Sequence, residues 1–317
     1  MLITDTSELH VVVGTGPLGM AVMEQLLLRN KKVRMVNRSG EIDSSANVEV
    51  VRGDATDDLE FSKACSGASV IYHCAKAPYK EWPEKFPPIM DGVIHAAITE
   101  NARVVYADNL YMYGQTKSKI SEDLPNRATG RKGVTRANMA ETLMDAHNKG
   151  KVKAVIGRAS DFYGPGVLDS ALGERVFGAV LDGKPSEVLG NIDLPHTYIY
   201  IKDFAKGLVE LAEDNDSYGQ IWHIPSAETT TTREIIARIY RLKNQEPKFR
   251  VAPKFFVNVM SLFNSDMREL KEMLYLYEAP FVVDTEKYER KFKKNVTSHD
   301  EAILETLAWF EQRASTR

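Results

Sequence analysis

Cysteine is scarce in this chain of 317 residues: Cys65 and Cys74 are its two thiols. Two thiols make no disulfide framework, and neither has metal-ligand spacing, so a reducing compartment and no metal site are expected. There is no block of basic residues. The 41 Lys and Arg stand against 44 Asp and Glu, a net charge of −3, which argues against nucleic acid as a partner. No apolar run approaches the roughly 18 residues that cross a bilayer. The start, MLITDTSE, has neither the basic residues nor the apolar core of a secretory leader. Repeats, low-complexity tracts and linkers are absent. These absences predict a soluble, cytoplasmic, globular protein without membrane contact. The chain is 43% hydrophobic, enough for a packed interior, and its length suits about two lobes.

The most informative stretch is Leu9 to Gly19, LHVVVGTGPLG. An apolar run stops at Gly14, and Gly16 and Gly19 complete a G-x-G-x-x-G spacing. An apolar-periodic segment from Met20 to Leu28 follows. The pattern predicts strand, tight turn and helix. Gly14 permits the turn, Gly16 lets a pyrophosphate approach the backbone, and Gly19 lets the helix lie close to the strand. Pro17 suits the first helical turn, where its missing N–H costs nothing. The amides there and the helix dipole attract phosphate. Gly14, Thr15, Gly16, Pro17, Leu18 and Gly19 are therefore candidate dinucleotide-binding residues.

A second strand, Lys32 to Asn37, ends in Asn37, Arg38 and Ser39. An NAD site usually carries an acid here for the ribose 2′-hydroxyl. Arg38 instead offers a cationic fork, and Ser39 a hydroxyl, to a 2′-phosphate, so NADP is expected over NAD. A third strand, Val48 to Val51, leads to Asp54, placed to accept from an adenine amino group, and Ala55. A fourth, Ala68 to Cys74, ends in small residues, Cys74 and Ala75, where backbone can lie against a cofactor. Tyr79 to Pro88 is read as a loop bordering the site. Helix is expected from Pro88 to Glu100 and strand from Ala102 to Ala107, followed by Asp108, Asn109 and Tyr111. A polar loop spans Gln115 to Gly130, a helix Val134 to Asn148 and a sixth strand Lys153 to Arg158. Strands alternating with helices argue for a right-handed, doubly wound parallel sheet covered on both faces, an α/β fold.

From Asp161 the pattern changes. Helices are expected at about Ala171 to Leu181, Asp203 to Ala212, Thr232 to Leu242 and Ser298 to Gln312. Short strands are expected near Ser186 to Leu189, His196 to Ile201 and Gln220 to Ile224. The apolar run Val251 to Phe263 is too short to span a membrane and reads as a core or lid helix.

Taken together, these motifs resemble the extended short-chain dehydrogenase/reductases, the NAD-dependent epimerase/dehydratase group. The resemblance rests on Gly14-x-Gly16-x-x-Gly19, Gly53-Asp54-Ala55-Thr56-Asp57, Met112-Tyr113-Gly114, Arg158, Tyr163-Gly164-Pro165-Gly166 and the Tyr198 to Asp203 join. It covers nearly the whole length. It implies a Rossmann-type NAD(P)-binding domain, set at 1–165, and a smaller mixed substrate lobe at 166–317 whose chain crosses back to the sheet, with the site in the cleft between them. Arg158 and Ser160, at the end of the sixth strand, join the cofactor residues. Homodimerisation through the helix at Gly133 to Asn148 is a further implication.

The chain also departs from the family. The group's chemistry uses a tyrosine and, four residues on, a lysine. Anchored on Glu141, these fall on Gly133 and Ala137, and the accompanying serine on Asn109. Tyr72…Lys76 and Tyr113…Lys117 mimic the spacing where strands become loops, which would not hold the geometry. The replacement expected here is Tyr111 or Asp108 for protons, Asn109 for a substrate oxygen, and Arg136 for charge. Two arginines that sugar-nucleotide members place on the diphosphate fall on His196 and Phe281. With Tyr79, Tyr163 and Phe162 these point to a smaller or more apolar small-molecule ligand. The reading is an NADP-dependent oxidoreductase acting on a carbonyl-like substrate. The alternatives are a non-catalytic, cofactor-binding regulatory protein and a nucleotide-sugar epimerase/dehydratase.

Overall fold

The structure, a computed structural model, describes residues 8–43, 48–252 and 254–315. The segment MLITDTS, read above for a leader, and Pro253 lie outside them. The chain divides into two compact units: Met1–Met112, Arg131–Arg158 and Phe204–Ile224 in the first, Tyr113–Gly130, Ala159–Asp203 and Pro225–Arg317 in the second.

The first unit is built on strands β1 (Leu9–Val13), β2 (Lys32–Asn37), β3 (Glu49–Arg52), β4 (Ala68–His73), β5 (Arg103–Asp108) and β6 (Lys153–Arg158), joined by Ile221–His223. All pair in parallel. The order is Ile221–His223, β6, β5, β4, β1, β2, β3. β1 is buried along its whole length, the apolar pattern expected of a strand covered on both faces. Helices α1 (Pro17–Leu28), α2 (Asp58–Ala64), α3 (Trp82–Glu100) and α4 (Arg131–Asn148) make the crossovers. Val13, Ile71, Val104 and Ile156 from the sheet share one core with Met90 and Val93 of α3 and Met139 and Leu143 of α4. Chain order reverses at β1, between β2 and β4, and a ligand crevice belongs at the carboxyl ends of those strands.

The helix α3 corrects the loop expected over Tyr79 to Pro88. Tyr79–Glu81 is a 3₁₀ turn and the α-helix starts at Trp82, with Pro87 and Pro88 inside it. Each proline removes an amide, leaving the carbonyls of Pro83 and Glu84 without helical donors. That turn lies on the solvent side, Glu84, Pro87 and Pro88 being exposed, so water can satisfy them. Buried Trp82 and Phe86 hold the other side, the Trp82 indole donating to Ala77 O at 3.1 Å.

The second unit carries short two-stranded pairings: Asp161–Tyr163 with Tyr198–Tyr200, Pro195–His196 with Thr230–Thr231, and Ser186–Leu189 with Phe249–Ala252. The single strand expected over His196 to Ile201 is thus two, broken at Thr197, whose amide turns to Phe281 O. Helix begins at Ile201, before Asp203. The Asp203 carboxylate accepts from Thr297 N and Oγ1, both at 2.9 Å. The helix expected over Ala171 to Leu181 is confined to Phe177–Leu181; before it the chain folds back, Glu174 N donating to Leu168 O at 3.0 Å, an approach that a Cβ on Gly173, 2.0 Å from Leu168 O, would block. The Val251 to Phe263 run is not a core helix. It is the end of a strand followed by helix Lys254–Met260. Val257 is buried, while Phe255, Leu262 and Phe263 are 79%, 73% and 82% exposed. No described helix is long and apolar enough to cross a membrane.

Candidate active site

The glycine turn after β1 divides its labour among three residues. Gly14 has φ +97° and hands its amide to Val36 O at 2.9 Å. A Cβ there would lie 2.7 Å from Ala75 Cα and 2.8 Å from Cys74 O. A Cβ on Gly19 would lie 1.9 Å from Gly14 O, so α1 can sit this close only without one. Around Gly16 a Cβ would meet nothing within 4 Å. Two glycines are therefore explained by the chain's own packing, and the space at the third is open. Gly16 is also the N-cap of α1 and has no side chain to cap it; Pro17 follows, and the first turn holds no acid. The amides of Leu18 and Gly19 and the positive helix end suit an anion. This cradle fits a dinucleotide pyrophosphate.

At the end of β2, Asn37 organises the next turn. Its Nδ2 donates to Thr15 Oγ1 at 2.9 Å and to Glu41 O at 2.7 Å, and its Oδ1 accepts from Gly40 N at 2.6 Å and Ser39 Oγ at 3.1 Å. Arg38 and Ser39 are exposed on that turn. Asp54, beyond β3, accepts on Oδ1 from Thr56 N at 3.0 Å and Thr56 Oγ1 at 2.8 Å. The Thr56 amide bond first, with the Thr56 hydroxyl and the charge of Arg38 beside it, holds this carboxyl below its usual range. Ala55 lies under α3, where a Cβ on Gly92 would be 1.9 Å from Ala55 O. After β4, burial pushes the Cys74 thiol up to about 12, so it stays a thiol. Among the described residues no three His, Cys, Asp or Glu side chains gather as a metal site.

The ends of β5 and β6 meet in a buried ionic triad. The Asp108 side chain has 0% exposure. Its Oδ1 accepts from Arg136 Nε at 2.7 Å and Asn109 N at 2.9 Å, and its Oδ2 from Arg158 Nε at 2.9 Å. Arg136 also donates to Ala107 O at 3.0 Å and lies against the rings of Tyr106, Phe86 and Trp82, at 5.0, 5.2 and 5.6 Å from their centroids. Buried charges demand such partners.

Asn109 shapes the following turn, its Oδ1 accepting from Tyr111 N at 3.0 Å. Tyr111 is half-buried and stacks on Trp82 at 6.0 Å and 17°. The Tyr79 hydroxyl donates to the Tyr111 hydroxyl at 3.0 Å. Lys132, 1% exposed, places Nζ 4.8 Å from the Tyr79 ring centroid. Sequence reasoning named Tyr79 and Tyr111 separately and missed both their pairing and Lys132. A signal existed: Arg131 and Lys132 open α4 with no acid in its first turn, where a helix dipole disfavours cations. Tyr72 and Tyr113, the mimicking tyrosines, have their side chains buried. Tyr72 is bonded to His10 Nδ1 at 3.3 Å.

In the second unit Ser160 is buried, and Tyr163 is a core residue whose hydroxyl pairs with His299 Nδ1 at 2.9 Å. His196 and Phe281 belong to a separate stacked group. The His196 ring lies 4.4, 5.0 and 5.4 Å from those of Tyr198, Phe281 and Tyr277. His196 Nε2 meets Asp161 Oδ2 at 3.1 Å, and the Tyr277 hydroxyl donates to the same oxygen at 3.0 Å.

No curated protein matches the sequence at a significant level. Among solved structures, the dTDP-glucose 4,6-dehydratase DesIV of Streptomyces venezuelae, a double mutant with NAD and DAU bound, is 18% identical; 98% of each chain is covered, with a TM-score of 0.79. The UDP-glucuronic acid 4-epimerase of Bacillus cereus in complex with NAD is 17% identical, over 96% of this chain and 99% of that one, with a TM-score of 0.79. The Bordetella bronchiseptica enzyme WbmH in complex with NAD⁺ is 17% identical, over 96% and 98%, with a TM-score of 0.75. At these identities the likeness is one of fold. The sequence itself matches the model of the NAD dependent epimerase/dehydratase family over residues 11–224, and with the glycine turn, the seven-stranded parallel sheet and these neighbours, the chain belongs to that family.

Proposed function

We propose that this chain is a nicotinamide-dinucleotide-dependent enzyme that interconverts a hydroxyl-bearing carbon and a carbonyl on a small-molecule substrate, the step shared by epimerases, dehydratases and reductases. The observation that carries it is the open space around Gly16, framed by two glycines whose absence of Cβ the packing demands. When bound, the nicotinamide supplies a reversible hydride acceptor. The Leu18 and Gly19 amides would hold the pyrophosphate, the turn at Asn37, Arg38 and Ser39 would take the adenosine ribose, and Asp54 would accept from the adenine amino group. Tyr111 gives and takes the proton at the substrate oxygen through Oη, and Asn109 fixes the turn that aims it. Asp108 is a positioning residue rather than a proton carrier, because its buried oxygens already accept from two guanidiniums and an amide.

Nucleotide sugars are the first substrate class to try, since the similar enzymes are named for dTDP-glucose and UDP-glucuronic acid. A second reading, an NADP-linked oxidoreductase on a smaller apolar carbonyl, is favoured by exposed Arg38 and by His196 among aromatic rings. The test is to follow product formation from UDP- and dTDP-sugars by chromatography, since epimerisation and dehydration return the hydride and leave the cofactor's oxidation state unchanged, and to follow nicotinamide absorbance with small carbonyl compounds and alcohols. A substrate-dependent signal is expected, reduced by about 10²- to 10⁴-fold in Tyr111→Phe with cofactor affinity unchanged. Undiminished turnover in that variant would remove Tyr111 from the chemistry. Silence with both substrate classes would contradict the enzyme reading.

A further inference from the structure

In the second unit, the segment after strand Phe249–Ala252 carries its largest apolar side chains on the solvent side. Helix Lys254–Met260 runs on into a helical turn, Ser261 N donating to Val257 O at 2.9 Å and Phe263 N to Met260 O at 3.1 Å. The next helix, Ser265–Met273, follows at once, so the turn is the tip of a helical hairpin. One face of the first helix holds Val257 and Ser261, four residues apart and both buried. The other holds Phe255, Val259, Leu262 and Phe263, at the i, i+4, i+7 and i+8 spacing of a single stripe, and all four are exposed. Val251, also exposed, precedes them by one further step of four. A surface helix ordinarily turns charged and polar residues to water and keeps its apolar stripe for the core. Two phenylalanines and a leucine largely in solvent, with two partly exposed valines, amount to apolar area on the order of 500 Å², at the upper end of what a monomer leaves in one patch.

We propose that this hairpin tip docks on a lipid surface that carries anionic headgroups, Phe255, Leu262 and Phe263 entering the boundary between headgroups and acyl chains. The sequence excludes a spanning segment, and this is a different mode: a short helix lying in the interface, held by its apolar face and by basic residues beside it. Charge favours that occupant. From Pro247 to Ser265 the chain has Lys248, Arg250 and Lys254 and no acid. Lys254 meets Glu278 at 2.7 Å and Arg250 meets Glu187 at 3.1 Å, both cations being well exposed, and Lys248 Nζ reaches Gly183 O at 3.4 Å. Exposed pairs of this kind contribute little, so lipid phosphates can take over the same cations. A second copy of the chain is the poorer occupant. The patch falls short of the roughly 800 Å² per partner that a stable interface buries, and a two-fold contact would set this basic rim against its own image.

The test is flotation of the full chain with phosphatidylcholine vesicles containing about one-third phosphatidylserine, which separates bound protein from aggregates. The wild type should float with these vesicles, and less with phosphatidylcholine alone. The triple variant Phe255→Ser, Leu262→Ser, Phe263→Ser should partition at least tenfold more weakly, since binding scales with the apolar area inserted. Its melting temperature should not fall, because the side chains it replaces are in solvent; Phe263→Ser alone is the milder second variant. Replacing Lys248 and Lys254 with glutamine should weaken binding to the mixed vesicles and leave that to phosphatidylcholine unchanged. A wild type that stays with the buffer, or a triple variant that floats as well as the wild type, overturns the proposal. Sedimentation velocity supplies the competing outcome: self-association of the wild type without vesicle binding, abolished in the triple variant, assigns the face to a second copy and overturns it equally. No cofactor or substrate enters these measurements, so the result is independent of the proposed enzymatic activity.

Discussion

Substituting Gly16 with alanine separates what the fold needs from what a ligand needs. Gly16 has φ −69° and ψ 177°, a conformation that alanine adopts without strain, and its Cβ would meet nothing within 4 Å. Alanine is the poorer N-cap, a loss that the reduced entropy of the unfolded chain offsets, so the net stability change should lie within about 0.5 kcal/mol. A bound pyrophosphate meets the new methyl directly. Backing away weakens at least one amide bond to an anion, worth about 1.5–3 kcal/mol, which corresponds to roughly 10- to 100-fold in affinity. Gly19→Ala is the contrast, since its Cβ would sit 1.9 Å from Gly14 O. Overpacking against backbone should cost that variant about 1–3 kcal/mol or more, along with binding. Urea unfolding gives the stabilities and calorimetric titration with dinucleotide gives the affinities. A Gly16→Ala protein of normal stability that binds within twofold of the wild type would refute the reasoning.

Further perturbations follow from the same contacts. Arg38→Asp should weaken NADP binding at least tenfold while changing NAD little; equal loss of both would remove Arg38 from the 2′-phosphate. Asp108→Asn leaves Arg136 and Arg158 buried without their counter-charge and should cost about 3–5 kcal/mol, lowering the melting temperature by roughly 6–20 °C; a loss under about 1 kcal/mol would show the triad to be well hydrated. Burial, with the charges of Lys31 and Arg103 adding to it, lowers His10 to about 4, and burial, with Arg136 adding, lowers His73 to about 3. The unfolded chain therefore binds more protons than the folded one below the ordinary histidine value near 6.5. Their contribution is fully present above that pH and is lost as the pH falls toward 4 and 3, about 2 kcal/mol per histidine at pH 5. His73→Phe should flatten that acid slope and keep the stack on Tyr106, now 5.1 Å; an unchanged slope would contradict the burial argument.

Most of the first unit was legible because its signals are local. The apolar runs of β1, β4 and β5 have the period of buried strands, and the three glycines each have a distinct steric reason that the packing bears out at Gly14 and Gly19. What escaped the sequence depended on pairings distant along the chain. Pro87 and Pro88 pointed to a loop, yet the helix tolerates them because their turn faces solvent. Asp108 looked like a candidate acid until its partners, 28 and 50 residues away, occupied both oxygens. Tyr79 and Tyr111 are 32 residues apart, and no periodicity links them. Of the two readings of the Val251 to Phe263 run, core helix or lid helix, the core reading fails because hydrophobicity reports a preference for burial, while Phe255, Leu262 and Phe263 remain exposed.

The most direct test of the central claim is calorimetric titration of the purified chain with NADP⁺, NADPH, NAD⁺ and NADH. Saturable binding of one dinucleotide per chain, weakened by Gly16→Ala, is expected. Failure of all four to bind a folded protein would mean that the glycine cradle holds no cofactor, and the proposed chemistry at Tyr111 would fall with it.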